Sequence, residues 1–136
     1  DYAHTPDAVI NVLKSAREIT QGKLIAVLGC GGDRDKTKRP LMGKALLAAD
    51  LPIFTSDNPR SEDPKEILIQ MTSAVNNAGE VIADRKDAIY RAVELAKPGD
   101  VIAILGKGHE TGQEIAGVKH SFDDRKILAE AIAGKK

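Results

Sequence analysis

The 136-residue chain has the length of one domain, and its 42% apolar and 29% charged residues are the balance of a globular protein with a single hydrophobic core. Its 20 basic and 20 acidic residues cancel, which argues against a general nucleic-acid-binding or anionic-membrane surface. The single cysteine, Cys30, excludes an internal disulfide framework, and no apolar run approaches the ~20 residues of a membrane span.

The chain opens on Asp1-Tyr2-Ala3-His4-Thr5-Pro6, with neither an initiator Met nor a signal peptide. It is expected to be a piece of a longer protein. Residues 7–19 carry Val9, Ile10, Leu13 and Ala16 at helical spacing behind Pro6, and Gln21-Gly22 ends that helix. Residues 23–29 form a near-continuous apolar run of strand length, as suits a strand buried on both faces of a parallel sheet. Cys30, at its end, reads as a small core residue. Residues 30–40 are a glycine-rich, highly charged loop. A helix is predicted over 41–49 and a second buried strand over 51–55. Residues 56–64 are dense in turn formers, with Asp63-Pro64 reading as an N-cap followed by an N1 proline. A helix over 64–78, a short strand over 81–83 and an amphipathic helix over 84–96 follow. Lys97-Pro98-Gly99 stops the last of these. Residues 100–105 are a further buried strand. Residues 113–116 and 119–122 flank Gly117 as a hairpin, and a helix over 123–133 closes the chain.

Strands that alternate with helices imply an α/β, Rossmann-like domain. The predicted architecture is a mostly parallel sheet with helices on both faces, right-handed crossovers and a C-terminal β-hairpin. No repeat, low-complexity segment or internal linker interrupts residues 1–136, so one domain is expected.

Three unusual loops follow three apolar strands. In open α/β sheets ligands bind beyond the carboxyl ends of the strands, so the loops after Gly29, Thr55 and Leu105 are expected on one edge. The first is Gly29-Cys30-Gly31-Gly32-Asp33-Arg34-Asp35-Lys36. Its glycines can cradle a phosphate through backbone N–H groups, or simply make a tight solvated turn. The spacing matches neither the dinucleotide fingerprint nor a P-loop. Arg34 is the stronger signal, since a guanidinium fork clamps a carboxylate or phosphate.

The second loop runs Thr55-Ser56-Asp57-Asn58-Pro59-Arg60-Ser61-Glu62-Asp63-Pro64. Asp57 can accept from an ammonium, Asn58 can donate and accept, and Arg60 can grip a carboxylate, a set that suits a zwitterion. An Asx-turn leading into a helix, with Arg60 solvated, explains the same residues equally well. The third loop is Gly106-Lys107-Gly108-His109-Glu110. Its glycines allow close backbone approach to a ligand, and Glu110 brings a carboxylate to the same edge. His109 could serve as a general base, although a loop histidine more often bonds locally. His120 reads as structural or exposed. The three histidines are scattered and no Cys/His cluster has ligand spacing, so no metal site is expected.

Taken in order, these motifs resemble the C-terminal domain of the Mur ligases, in particular the branch that adds meso-diaminopimelate. The likeness runs from Asp1-Tyr2-Ala3-His4-Thr5-Pro6-Asp7 through the glycine loop, Lys38-Arg39-Pro40-Leu41-Met42-Gly43, Asp57-Asn58-Pro59-Arg60 and Gly106-Lys107-Gly108-His109-Glu110. The resemblance implies an ATP-dependent amide-bond ligase of bacterial peptidoglycan synthesis, working in the cytoplasm. Such an enzyme adds meso-diaminopimelate to UDP-N-acetylmuramoyl-L-alanyl-D-glutamate through an acyl phosphate. Arg34 and Arg60 would hold carboxylates of diaminopimelate. Asp57, Asn58, Gly106 and Glu110 would position its ammonium groups and stereocentre. Relatives that add lysine lack the arginine of this motif, so Arg60 favours diaminopimelate.

Asp1, Tyr2 and His4 would lie near the nucleotide, over which this domain closes. No catalytic residue is assigned to the chain. ATP and Mg2+ would be bound mainly by a central domain, and the UDP-sugar by an N-terminal domain, neither of which is in this sequence. The isolated chain is therefore expected to be inactive and monomeric, with no nucleic-acid or membrane partner. The likeness departs at Gly112, where the family usually carries an aromatic. Two other readings stand beside it: a separate amino-acid-binding or regulatory module, and a related ligase such as a folylpolyglutamate or cyanophycin synthetase.

Overall fold

The computed structural model describes residues 5–32, 36–76, 78–107, 112–116 and 118–134, with Glu114 and His120 described for their backbone alone. The chain opens with α1 (Pro6–Glu18), whose N-cap Thr5 accepts from the Ala8 amide at 3.1 Å ahead of Pro6. It is followed by β1 (Leu24–Cys30), α2 (Arg39–Leu46), β2 (Leu51–Ser56), α3 (Pro64–Thr72), β3 (Glu80–Val81), α4 (Arg85–Leu95), β4 (Val101–Leu105), the strands β5 (Gly112–Ile115) and β6 (Val118–Ser121), and α5 (Asp124–Gly134).

A parallel sheet runs in the order β3-β2-β1-β4, and β5-β6 form a separate antiparallel hairpin. β1 is buried along its whole length, as its unbroken apolar run predicts. Its alternating side chains feed two cores. Leu24, Ala26, Leu28 and Cys30 pack with Phe54 against α1, α2 and α3. Ile25 and Val27 pack with Ile53 against Ala88 and Ala92 of α4, and α5 lies against α4. The sheet is therefore covered on both faces. From β1 the chain passes to β2 and β3 on one side, then returns through α4 to β4 on the other. This reversal opens a crevice between the carboxyl ends of β1 and β4, where α/β sheets bind ligands.

Several boundaries differ from the sequence expectation for identifiable reasons. α2 begins at Arg39 after a 3-10 turn at Lys36–Lys38 and ends at Leu46, rather than spanning 41–49. Pro40 falls in its first turn, where a missing N–H costs nothing. α3 stops at Thr72, short of residue 78. Beyond it the Thr72 and Ser73 hydroxyls bond back to the carbonyls of Leu68 and Gln70, a side-chain competition that favours helix ends. The predicted cap is present: Asp63 accepts from the Lys65 amide at 2.9 Å. β4 is not fully buried. Val101 to Ile104 are partly exposed because β4 is the edge strand, paired to β1 on one side.

At the carboxyl edge a fully buried guanidinium joins four elements. Arg85, at the start of α4, donates from Nε and Nη2 to the two carboxylate oxygens of Asp124 at 2.8 and 2.6 Å. Its Nη1 also donates to the Ser56 carbonyl at 3.0 Å, and Nη2 to the Leu105 carbonyl at 3.2 Å. These carbonyls are the last of β2 and β4 before the two site loops. Planar, multidentate donation of this kind belongs to arginine and not to lysine.

Cys30 ends β1 within the core, and burial pushes its thiol up from 9.0 to about 12, against a smaller opposing pull from Arg39. A native thiol held so high is protonated at pH 8 and should resist aromatic disulfide reagents until the chain unfolds. The unfolded thiol ionises from about pH 9 and the folded one near 12. Its contribution to stability is thus complete below pH 9 and is lost as pH rises from there towards 12. A native Cys30 that is modified as fast as the unfolded one would contradict this.

Removing Arg85 should strand the buried Asp124 carboxylate. Arg85→Met is expected to cost about 3–5 kcal/mol in urea unfolding, with part recovered when Asp124 is made Leu as well.

Candidate functional site

The loops after β1, β2 and β4 meet at the carboxyl edge, as their positions in the chain require. The Gly32 amide donates to the Asn58 carbonyl at 2.6 Å. A Cβ on Gly32 would overlap the Pro59 carbonyl oxygen, so only glycine lets the first loop lie this close to the second. The Gly32 N–H is spent on Asn58 and is not offered to a phosphate. Gly106 has φ +107°, a backbone that disfavours side chains, and a Cβ placed there would stand 3.7 Å from Asp57 Oδ2.

The hairpin closes over the second loop. Gln113 Nε2 donates to the Asp57 carbonyl at 2.7 Å. The Ala116 amide donates to the Arg60 carbonyl at 2.5 Å, and Arg60 bridges to Ile115. Arg60 itself has φ 53°, in the left-handed region that non-glycine residues rarely adopt. Its Nη1 donates to the Gly32 carbonyl at 2.9 Å and to the Asn58 carbonyl at 3.4 Å. The guanidinium is therefore anchored through one nitrogen, and among the described residues Nε and Nη2 have no partner. That remaining edge is the one suited to a two-pronged grip on a carboxylate.

Asp57 is 5% exposed and Lys107 is completely buried. Lys107 Nζ stands 3.4 Å from Asp57 Oδ1 and donates to Asn58 Oδ1 at 3.1 Å and to the Gly112 carbonyl at 2.5 Å. The ion pair is not aligned as a hydrogen bond, and Asp57 Oδ1 has no hydrogen-bond partner. Asp57 Oδ1 thus meets the charge of Lys107 without a hydrogen bond of its own.

A second brace lies behind the site. Arg39, 2% exposed, donates from Nη1 and Nη2 to the two carboxylate oxygens of Glu62 at 3.0 and 2.6 Å. It also donates to the Gly31 carbonyl at 3.0 Å and to Gln70 Oε1 at 2.6 Å. It thus joins the first loop, the second loop and α3.

Of the residues picked out by sequence, Asp57, Asn58, Arg60 and Gly106 come together at this edge. Arg34, Glu110 and His109 fall outside the described residues, as do Asp1, Tyr2 and His4. His120 pairs with Gln113 in the hairpin. Gly112, the departure from the family pattern, opens β5 opposite Ser121 and gives its carbonyl to Lys107. Sequence reasoning passed over Lys107, Gln113, Arg39 and Arg85. A lysine between two glycines reads as a solvated loop residue, and an arginine on a helix reads as exposed until its distant carboxylate partner is known. Among the described residues no three His, Cys, Asp or Glu side chains are grouped to hold a metal ion. No helix of the described residues is long and apolar enough to cross a membrane.

Residues 1–108 match the family described as Mur ligase, glutamate ligase domain. The chain is 54% identical over 137 aligned residues to the UDP-N-acetylmuramoyl-L-alanyl-D-glutamate--2,6-diaminopimelate ligase of Aquifex aeolicus, covering 98% of this chain and 28% of that protein. It is 55% identical to the Streptomyces coelicolor ligase of the same name, covering 97% of this chain and again 28% of the relative. A solved structure of such a ligase superposes with a TM-score of 0.93 at 50% identity, over 98% of this chain and 28% of that one. The chain thus spans little more than a quarter of the relatives it matches. With the family's domain matched over most of its length and the fold reproduced in a solved relative, the chain belongs to the Mur ligase family, in its glutamate ligase domain.

Proposed function

We propose that this chain is the amino-acid-binding C-terminal domain of an ATP-dependent ligase that adds meso-diaminopimelate to UDP-N-acetylmuramoyl-L-alanyl-D-glutamate in the bacterial cytoplasm. The observation that carries the reading is the meeting of Asp57, Asn58, Arg60 and Gly106 at the carboxyl edge, with a buried acceptor at Asp57 and an anchored guanidinium at Arg60. Relatives at about half identity that bear this ligase's name supply the chemistry to match it.

In this reading Arg60 grips a carboxylate of diaminopimelate through its Nε–Nη2 edge, and Asp57 accepts from an ammonium. Asn58 and Gly106 shape the space between them. Arg34 and Glu110 complete the set, on the strength of their places in the motifs. Asp1, Tyr2 and His4 approach the nucleotide. ATP supplies the energy for amide-bond formation with Mg2+. In this reading nucleotide, metal and UDP-sugar are bound mainly by other domains of a longer protein, of whose relatives this chain spans about 28%. This chain's part is to select the amino acid and orient its amine.

The test is made on the full-length ligase. Wild-type protein should form the tripeptide product with meso-diaminopimelate and reject lysine, which has no distal carboxylate. Arg60→Lys should raise KM for diaminopimelate about 10–100-fold, the loss of one charge-assisted hydrogen bond of roughly 1.5–3 kcal/mol. KM for ATP should stay close to wild type. Unchanged kcat/KM for diaminopimelate in this variant would remove the clamp from the mechanism.

A further inference from the structure

We infer that Lys107 is a positioning residue for amino-acid recognition, one that sets which end of the Asn58 amide serves the site. The inference rests on the proposed amino-acid site and deepens it.

A buried ammonium is destabilising unless its charge and hydrogens are met. Lys107 is completely buried; its Nζ donates to Asn58 Oδ1 at 3.1 Å and to the Gly112 carbonyl at 2.5 Å, and stands 3.4 Å from Asp57 Oδ1 as a charge contact. Packing alone does not ask for such a residue, because a buried apolar side chain fills space without that cost. What the ammonium adds is polarity. It can only donate, so it accepts no bond from the Asn58 NH2 group and holds Oδ1 on its own side. The amide is thereby oriented, with its donor end directed away from Lys107. The same ammonium stands at Asp57, the acceptor of the pair. Lys107 thus gives Asp57-Asn58 a fixed sense, an acceptor at one residue and a donor at the next, matching an ammonium and a carboxylate on one ligand.

Lys107 also couples the loop to the hairpin. Its bond to Gly112 fixes the first residue of β5, and the next residue, Gln113, holds the Asp57 carbonyl at 2.7 Å. One side chain therefore spans the exit of β4, the loop after β2 and the start of β5.

The experiment uses the full-length ligase with Lys107→Met and Lys107→Gln, each alone and combined with Asn58→Ala. Initial rates are measured against meso-diaminopimelate and against ATP, together with thermal melts. The expected result is a rise of about tenfold or more in KM for diaminopimelate, as misorientation of a ligand-binding group produces. The kcat and the KM for ATP should stay within about twofold. In the Asn58→Ala background, replacing Lys107 should have much less effect, since residues that act as a unit are not additive. Unchanged KM for diaminopimelate overturns the proposal, as does full additivity with Asn58→Ala. A uniform fall in kcat that tracks a lower melting temperature, or loss of folding in both variants, makes Lys107 structural and also overturns it. Wild-type enzyme that ignores diaminopimelate would instead sink the proposed function, so the two failures are told apart.

Discussion

The Arg85 guanidinium lies directly beneath the two loops that make the site. By bonding to the last carbonyls of β2 and β4 it fixes the points from which Asp57 and Gly106 depart. By pairing with Asp124 it pins the start of α5 to the same place. In a parallel sheet the strand ends are where regular hydrogen bonding stops, and buried carbonyls there need donors from elsewhere. A single planar side chain meets that need for two strands at once. The departure points of the second and third loops are set by it.

Above that support, the site is a junction of loops held by polar contacts rather than by apolar packing. Arg39 and Glu62 tie the first loop to the second from behind. Lys107 and Gln113 tie the second loop to the hairpin from in front. The apolar cores lie on the two faces of the sheet and reach the edge mainly through Cys30 and Leu105. Stability and recognition are in this sense divided between regions: aliphatic layers hold the sheet, and buried charges hold the loops. Such networks are exacting, because each unpaired member carries a desolvation cost.

The fold was legible because parallel strands covered on both faces show as unbroken apolar runs, and the helices between them keep a 3.6-residue period. β1 and β2 follow from this directly. β4 shows its limit, since an edge strand can carry the same apolar run while remaining half open. The ends of α2 and α3 depended on proline position and on hydroxyl back-bonding, which periodicity does not register. At the candidate site, the meeting of Asp57, Asn58, Arg60 and Gly106 could be foreseen because they follow strand ends. The charges that organise them could not. Arg85 and Asp124 are 39 residues apart, and Lys107 and Asn58 are 49 apart. No local pattern marks either pairing.

Arg60 stands in a left-handed backbone conformation, with its carbonyl held by the hairpin. A side chain in that region costs of order 1–3 kcal/mol, whereas glycine would rest there without strain. The backbone and the guanidinium thus make opposing demands on a single codon. Relieving that strain with glycine would remove the guanidinium that holds the Gly32 carbonyl, so backbone ease and the contact between the two loops pull in opposite directions at this residue.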